Sequence, residues 1–192
     1  MPQRLGSPFQ FGQAVLEPIV QPLYDNETIA AGTAGATRFF ITTAAKTELN
    51  IFSGITGGGQ LSAPRMFVIY GIRLVWSEDK TVADLAPDLK ALLYGSWFRM
   101  RVGVKNYIEV PSHYLPSGVG TAGYASGLAA AGAQTATSGV PAFFSRFSIE
   151  KRRIAIPPQQ SFFGELNVET TATVSDTPLW VYLDGEFGQE VQ

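Results

Sequence analysis

The sequence predicts an all-β sandwich of about eight antiparallel strands. Short runs of β-branched and aromatic residues, alternating with polar ones, recur along the chain and are separated by Gly, Pro, Asn and Asp turns. A length of 192 residues suits one such domain better than two, and a hydrophobic content of 45% is enough for a sizeable core. The regular spacing of strands and turns favours a jelly-roll-like arrangement.

Eight segments carry the strand pattern. They are residues 38–43, 65–76, 97–102, 107–110, 143–149, 152–156, 161–171 and 179–187. Segment 65–76 is apolar on both faces, which indicates a central strand, and Gly71 within it predicts a bulge or bend. The dipeptide Lys105-Asn106 is predicted to turn segment 97–102 into segment 107–110 as a hairpin.

One segment, residues 82–94, carries the spacing of an amphipathic helix. Its leucines recur three and four positions apart, Asp84 lies near its start and Gly95 follows its end. We therefore expect one short helix in a connection between strands.

Residues 1–24 are predicted to form an extended N-terminal arm, ahead of a single domain at 25–192. Four prolines disfavour helix and central strand alike, yet many large apolar side chains remain. An arm lying across a neighbouring surface and a first strand wrapping its own domain both explain this combination, and the sequence does not choose between them. In the first case the assembly interface contains Phe9, Phe11, Val15, Leu16, Ile19 and Val20.

A Gly/Ala-rich loop is predicted at 116–140. It contains almost no charge, and a loop of this length inside a compact domain is usually functional or mobile. Tyr114, Tyr124 and Leu128 supply large apolar groups at and within it. We expect these three residues to belong to the assembly interface as well.

The composition narrows the range of partners and compartments. A formal net charge of −2 gives no broad cationic field, so neither nucleic acid nor a membrane is an expected partner. The absence of cysteine excludes disulfides, thiolate metal sites and cysteine nucleophiles. We find no signal-peptide core and no apolar run of ~20 residues, so we expect a protein made in a cytoplasm that stays soluble.

The sequence lacks the constellations that catalysis needs. His113 is the single histidine, which is too few for a cupin-type metal site, and no Gly-x-Ser-x-Gly motif accompanies it as part of a catalytic triad. We therefore expect no enzyme, no cofactor, no metal and no small-molecule substrate. One enzymatic alternative is a glycosidase, whose paired carboxylates would come from Glu165, Glu169, Asp184 and Glu186. Solvated outer-face charges are the simpler explanation.

Aromatic residues beside polar ones suggest a second alternative, carbohydrate stacking. Trp97 lies close to Arg99, and Tyr114 and Tyr124 lie at the predicted loop. Rings and hydrogen-bonding groups together form sugar platforms. A glycan array with Trp97→Ala and Tyr124→Ala variants tests this hypothesis.

The C-terminal part carries a recognisable strand-and-turn pattern. Pro157-Pro158 separates two strands, and Asp184-Gly185 ends or bulges the last one. The pattern comprises residues 154–162 and 179–187, with the upstream segments 68–74 and 97–110. It resembles the closing strands of jelly-roll structural proteins of bacteriophages, including head decoration (cement) proteins and small capsid proteins. The resemblance spans residues 60–192 and covers neither the arm nor the Gly/Ala-rich loop.

The resemblance implies a structural protein of the virion, assembled in the host cytoplasm. It implies a capsid decoration protein that binds the phage head, with the major capsid protein or other virion proteins as partners and a homotrimer as its oligomeric state. A jelly-roll major capsid protein is the near alternative. A carbohydrate-binding host-attachment module is the alternative of another class.

Overall fold

In a computed structural model of the chain, the described residues are 10–11, 14–41, 55–56, 59–76, 88, 91–92, 94–115, 121–126, 134–138, 147–148, 153–169 and 175–190. In chain order their strands are β1 (Gln10–Phe11), β2 (Ala14–Val20), β3 (Leu23–Ile29), β4 (Gly35–Phe39), β5 (Ile55–Thr56), β6 (Gln60–Leu61), β7 (Met66–Trp76), β8 (Ser96–Val102), β9 (Lys105–Pro111), β10 (Thr121–Ser126), β11 (Gln134–Ser138), β12 (Phe147–Ser148), β13 (Ile154–Ile156), β14 (Phe162–Val168) and β15 (Thr177–Glu190). A single 3-10 turn, Ser112–Tyr114, follows β9.

The larger sheet is antiparallel and centres on the pair β15 and β7. Strands β2 and β3 lie end to end along the other side of β15, and their register runs unbroken from Val20 opposite Glu186 to Leu23 opposite Leu183. Strands β12 and β13 lie end to end along β7 in the same manner. Strand β1 pairs with the start of β2 and completes seven strands.

The smaller sheet has four strands in the order β4-β14-β8-β9, all antiparallel. Two further two-stranded pairs, β5-β6 and β10-β11, lie outside both sheets. The second of these lies within residues 116–140, which the sequence predicted as a loop. Its sequence is rich in small residues and lacks the β-branched and aromatic pattern from which strands were predicted. Backbone pairing does not require large side chains, so strands can form there without that pattern.

One hydrophobic core lies between the two sheets and contains side chains from both. Strand β14 shows how alternation produces it, because Phe162, Leu166 and Val168 are buried while Phe163 and Asn167 on the other face are partly exposed. The largest fully buried side chains are Phe39, Phe40, Phe67, Phe98 and Phe162. The predicted all-β sandwich is therefore confirmed.

Strand β4 ends earlier than predicted, at Phe39 rather than Thr43. At this point Phe40 has a positive φ of 66°, which leaves the extended conformation. Residues 42–50 lie outside the described residues. The predicted helix lies largely outside them too, and its described members Asp88, Ala91, Leu92 and Tyr94 are helical.

The predicted hairpin between β8 and β9 forms, but its turn lies at Gly103-Val104 and not at Lys105-Asn106. Gly103 has a φ of +59°, which glycine adopts without strain. Lys105 instead pairs with Val102 as the first residue of β9.

The predicted irregularity near Gly71 is confirmed. The register of β15 against β7 shifts between Asp184 and Gly185, so that Tyr70 is an additional residue on β7. Strand β15 does not end there, as one reading of Asp184-Gly185 allowed, but continues to Glu190. A Cβ on Gly185 would lie 2.1 Å from the carbonyl oxygen of Val68, so the close approach of the two strands requires glycine.

Candidate interaction surfaces

The outer face of the smaller sheet carries an ion triad around one buried carboxylate. Glu165 is only 3% exposed, although it lies on the solvent side of β14. Its carboxylate accepts hydrogen bonds from Arg38 Nε at 2.8 Å and from Arg99 Nη2, which belong to the strands on either side. Burial by itself raises the pKa of Glu165, but the two guanidinium groups outweigh it and hold that pKa below its ordinary value.

Two aromatic rings on the same face hold these arginines in place. The guanidinium of Arg99 lies 5.1 Å from the ring centroid of Trp97. Those of Arg38 and Arg101 lie 5.1 and 5.8 Å from the ring of Phe163. Stacking of this kind restrains long side chains, and arginine with aromatic residues is typical of protein interfaces.

A shallow depression of about 350 Å³ opens beside the triad, between β8, β9 and the end of β14. It is lined by Trp97, Glu109, Val110, Pro111 and Glu169. The indole Nε1–H of Trp97 donates a hydrogen bond to Glu169 Oε1 at 2.9 Å, which fixes the orientation of the ring. We refer to these five residues as the Trp97 depression.

The outer face of the larger sheet carries three packed aromatic rings. The ring of Tyr24 lies 5.8 Å from that of Tyr182 and 6.3 Å from that of Trp180. Arg73 covers Tyr182 at 5.0 Å and forms an ion pair with Asp184 at 2.8 Å. This face is thus also a preordered surface of aromatic and charged groups.

The bulge residue Tyr70 extends this surface toward the edge of the sheet. Its hydroxyl donates a hydrogen bond to Glu186 Oε2 at 2.6 Å, and the guanidinium of Arg153 lies 4.9 Å from its ring. Burial and the hydrogen bond to Glu186 raise the pKa of Tyr70 to about 12. Arg153 follows Lys151 and Arg152 in the sequence, and it contacts a ring here.

The predicted arm residues lie on the open edge of the larger sheet where the structure describes them. Residues 16–20 pair with β15 of the same chain, and residues 14–15 pair with β1. Val20 is 82% exposed and Ile19 is 39% exposed. The strands β1 and β2 contain Phe11, Val15 and Leu16, whose side chains lie outside the described part, as does all of Phe9.

The remaining predicted interface residues are less closely grouped. Tyr114 is 59% exposed on the 3-10 turn, beside His113, whose ring stacks on that of Tyr94 at 5.6 Å. Tyr124 lies in β10, and Leu128 lies outside the described residues. Tyr94 is 70% exposed and joins this group. The sequence did not indicate it as an interface residue, because it lies at the end of the predicted helix.

The four carboxylates considered for glycoside hydrolysis are divided between the two sheets. Glu165 and Glu169 belong to the outer face of the smaller sheet, whereas Asp184 and Glu186 lie on the outer face of the larger one. The hydrophobic core separates the two pairs. Within the described ranges, no group of three His, Asp or Glu side chains could hold a metal ion.

Comparison with models of known protein families, with curated proteins and with solved structures finds no match to this chain. Among the described residues, no helix has the length and apolar character needed to cross a lipid bilayer. The geometry of the sheets and their surfaces is therefore what supports a function.

Proposed function

We propose that this chain is a jelly-roll structural protein of a virus particle, acting as a capsid decoration protein. The observation that carries the proposal is the strand pairing. Eight strands of the two sheets, taken in chain order, pair first with last, second with seventh, third with sixth and fourth with fifth, namely β3 with β15, β4 with β14, β7 with β13 and β8 with β9. This order of pairing across two sheets is the pattern expected of a jelly roll, and it supports the proposal.

Jelly rolls with this connectivity serve as viral capsid domains, lectins and cupins. A cupin centre needs several imidazole ligands, and His113 alone cannot supply them. Capsid and lectin roles remain, and the low charged fraction of 16% favours a surface covered by other subunits over a solitary domain. The phage-like pattern of the C-terminal strands supports the capsid role.

The open edge of the larger sheet supports assembly through the N-terminal segment. Val20 presents a β-branched side chain to solvent at the position where β2 meets β3. Pro18 and Pro22 at this edge lack an N–H group, so a neighbouring strand cannot add along its whole length. Side-chain contacts are therefore the mode of association that this edge favours, with capsid protein as the partner.

Binding to purified virus particles tests the proposal. Particles stripped of this protein are incubated with the wild-type chain, with Val20→Arg, and with Val104→Arg as a matched control, because Val104 is 92% exposed at a hairpin tip on the other sheet. We expect wild-type and Val104→Arg occupancy to be equal and Val20→Arg occupancy to fall at least tenfold. Absence of the chain from native particles contradicts the proposal.

A jelly-roll major capsid protein remains the alternative within the same class. It predicts closed shells from the purified chain alone, whereas a decoration protein remains a small oligomer, a trimer in our proposal. Light scattering and negative-stain microscopy of the purified chain distinguish the two. A shell assembled without any other protein replaces the decoration role by the capsid role.

A further inference from the structure

The side chains of the Trp97 depression provide hydrogen-bond acceptors to a ligand but no free donor. Its two rim carboxylates, Glu109 and Glu169, accept only, and the indole N–H of Trp97 is already donated to Glu169. Val110 and Pro111 contribute apolar surface. A bound group must therefore supply hydrogen-bond donors and must also pack against an aromatic ring and aliphatic side chains.

The arginines of the triad are engaged within the fold, and one of them also contacts the depression, because the guanidinium of Arg99 lies 5.1 Å from the ring centroid of Trp97. Arg99 lies directly opposite Glu109 across β8 and β9, yet its guanidinium turns to Glu165 on the other side. Arg38 is held by Glu165 as well. Glu109 is exposed and forms no ion pair with any residue in the described part of the chain. Within the described part of the chain, neither arginine forms an ion pair with Glu109 or Glu169, so the two rim carboxylates remain available to a donor.

We propose that the Trp97 depression binds an arginine side chain of a partner protein. A guanidinium is planar, carries five donors and no acceptor, stacks on indole rings and is weakly hydrated. These properties match a ring flanked by two carboxylates. A sugar fits less well, because its hydroxyls need donors as well as acceptors from the site. The volume of about 350 Å³ lies at the lower end of ligand sites, which suits one long side chain.

This inference rests on the proposed function, since it names the contact that a virion protein makes on the smaller sheet. It differs from the edge contact at Val20, which belongs to the larger sheet. Two separate contacts on one subunit allow a decoration protein to bridge neighbours.

Nuclear magnetic resonance of the full chain with small probes tests the site. The chain contains three tryptophans, so three indole N–H signals are expected, and a Trp97→Phe variant assigns the relevant one. The probes are n-propylguanidinium, its neutral counterpart n-propylurea, and N-acetylglucosamine. We expect only n-propylguanidinium to shift the Trp97 signal in a saturable manner.

Charge removal provides the second measurement. Glu109→Gln together with Glu169→Gln keeps an amide oxygen for the indole N–H and should weaken n-propylguanidinium binding at least tenfold. Glu27→Gln, on the larger sheet, is the matched control and should leave binding unchanged. A Trp97 signal that responds to the sugar and not to the guanidinium overturns the inference in favour of a saccharide site, and no response to any probe overturns it outright.

The outcomes separate this inference from the proposed function. If n-propylguanidinium does not bind but the chain still occupies virus particles, the inference is wrong and the function stands. If it binds but native particles lack the chain, the function is wrong and the cation site stands.

Discussion

The carboxylate of Asp25 accepts a hydrogen bond from the backbone N–H of Phe40, and both residues are fully buried. Phe40 has a φ of 66°, a conformation in which a bulky residue is strained. The hydrogen bond therefore connects β3 of one sheet to the end of β4 in the other, at a residue whose backbone conformation is strained. It is the reason that an aspartate occupies an inward position of β3.

Replacing Asp25 by alanine should destabilise the fold strongly. The Phe40 N–H would lose its charged acceptor inside the core, and an unsatisfied buried donor costs about 1–3 kcal/mol. Asp25→Asn keeps an oxygen acceptor and should cost less than Asp25→Ala. Urea unfolding of the two variants measures the difference, and equal losses would mean that the hydrogen bond has no part in stability.

Gly185→Ala should be among the most damaging single substitutions. Its Cβ would meet Val68 O at 2.1 Å and the ring of Phe67 at 2.6 Å, so β7 and β15 would have to separate at the centre of the larger sheet. We expect a loss of about 3 kcal/mol in the free energy of unfolding. The matched control is Gly32→Ala, where nothing lies within 4 Å and only the positive φ of 71° is strained. Its cost should be about 1–2 kcal/mol, and a control as harmful as Gly185→Ala would contradict the steric argument.

The ion triad predicts a specific loss of stability in acid. The folded-state pKa of Glu165 is lowered mainly by Arg38 and Arg99, which outweigh the opposing effect of burial. Its stabilising contribution is therefore complete above the unfolded pKa of about 4.3 and is lost as the pH falls through the folded value. In Glu165→Gln, the free energy of unfolding should be lower at pH 7 and should depend less on pH below about 4.3.

Urea unfolding across this acid range checks the triad, with Glu109→Gln as the exposed control on β9 of the same sheet. The control should retain the wild-type slope of stability against pH. An unchanged slope in Glu165→Gln would show that the triad does not contribute to acid sensitivity.

The alternation of apolar and polar residues was sufficient to predict the sandwich, because period-two patterning directly determines which side chains enter the core. The strand 66–76 was predicted from its apolar residues on both faces, and the bulge was predicted from Gly71. The end of β4 was not, since its cause is a hydrogen bond from Phe40 to a residue 15 positions away. Local propensity contains no information about such a partner.

The surfaces were predictable only in part, for the same reason. Trp97 and Arg99 could be paired from the sequence because they lie two positions apart, and they do contact each other. Glu109 and Glu169 join Trp97 only after β9 and β14 have paired on either side of β8. A composite site of this kind has no signature in a single segment.

The Tyr70–Glu186 contact predicts an unusually late tyrosine titration. Burial and the hydrogen bond to Glu186 raise the folded-state pKa of Tyr70 to about 12. The contact stabilises the fold fully below the unfolded tyrosine pKa of about 10, and this contribution is lost as the pH rises toward 12. Tyr70→Phe should remove one phenolate from the last part of an ultraviolet absorbance titration.

Glu186→Gln distinguishes the two causes of this shift. It removes the negative charge of the carboxylate but leaves Tyr70 in its partly buried position on the bulge, beside Arg153, so the electrostatic contribution of Glu186 is lost while that of burial remains. We expect the late phenolate to titrate at a lower pH than in the wild type but still above 10. A titration curve identical to that of the wild type would mean that the charge of Glu186 has no part in the raised pKa of Tyr70.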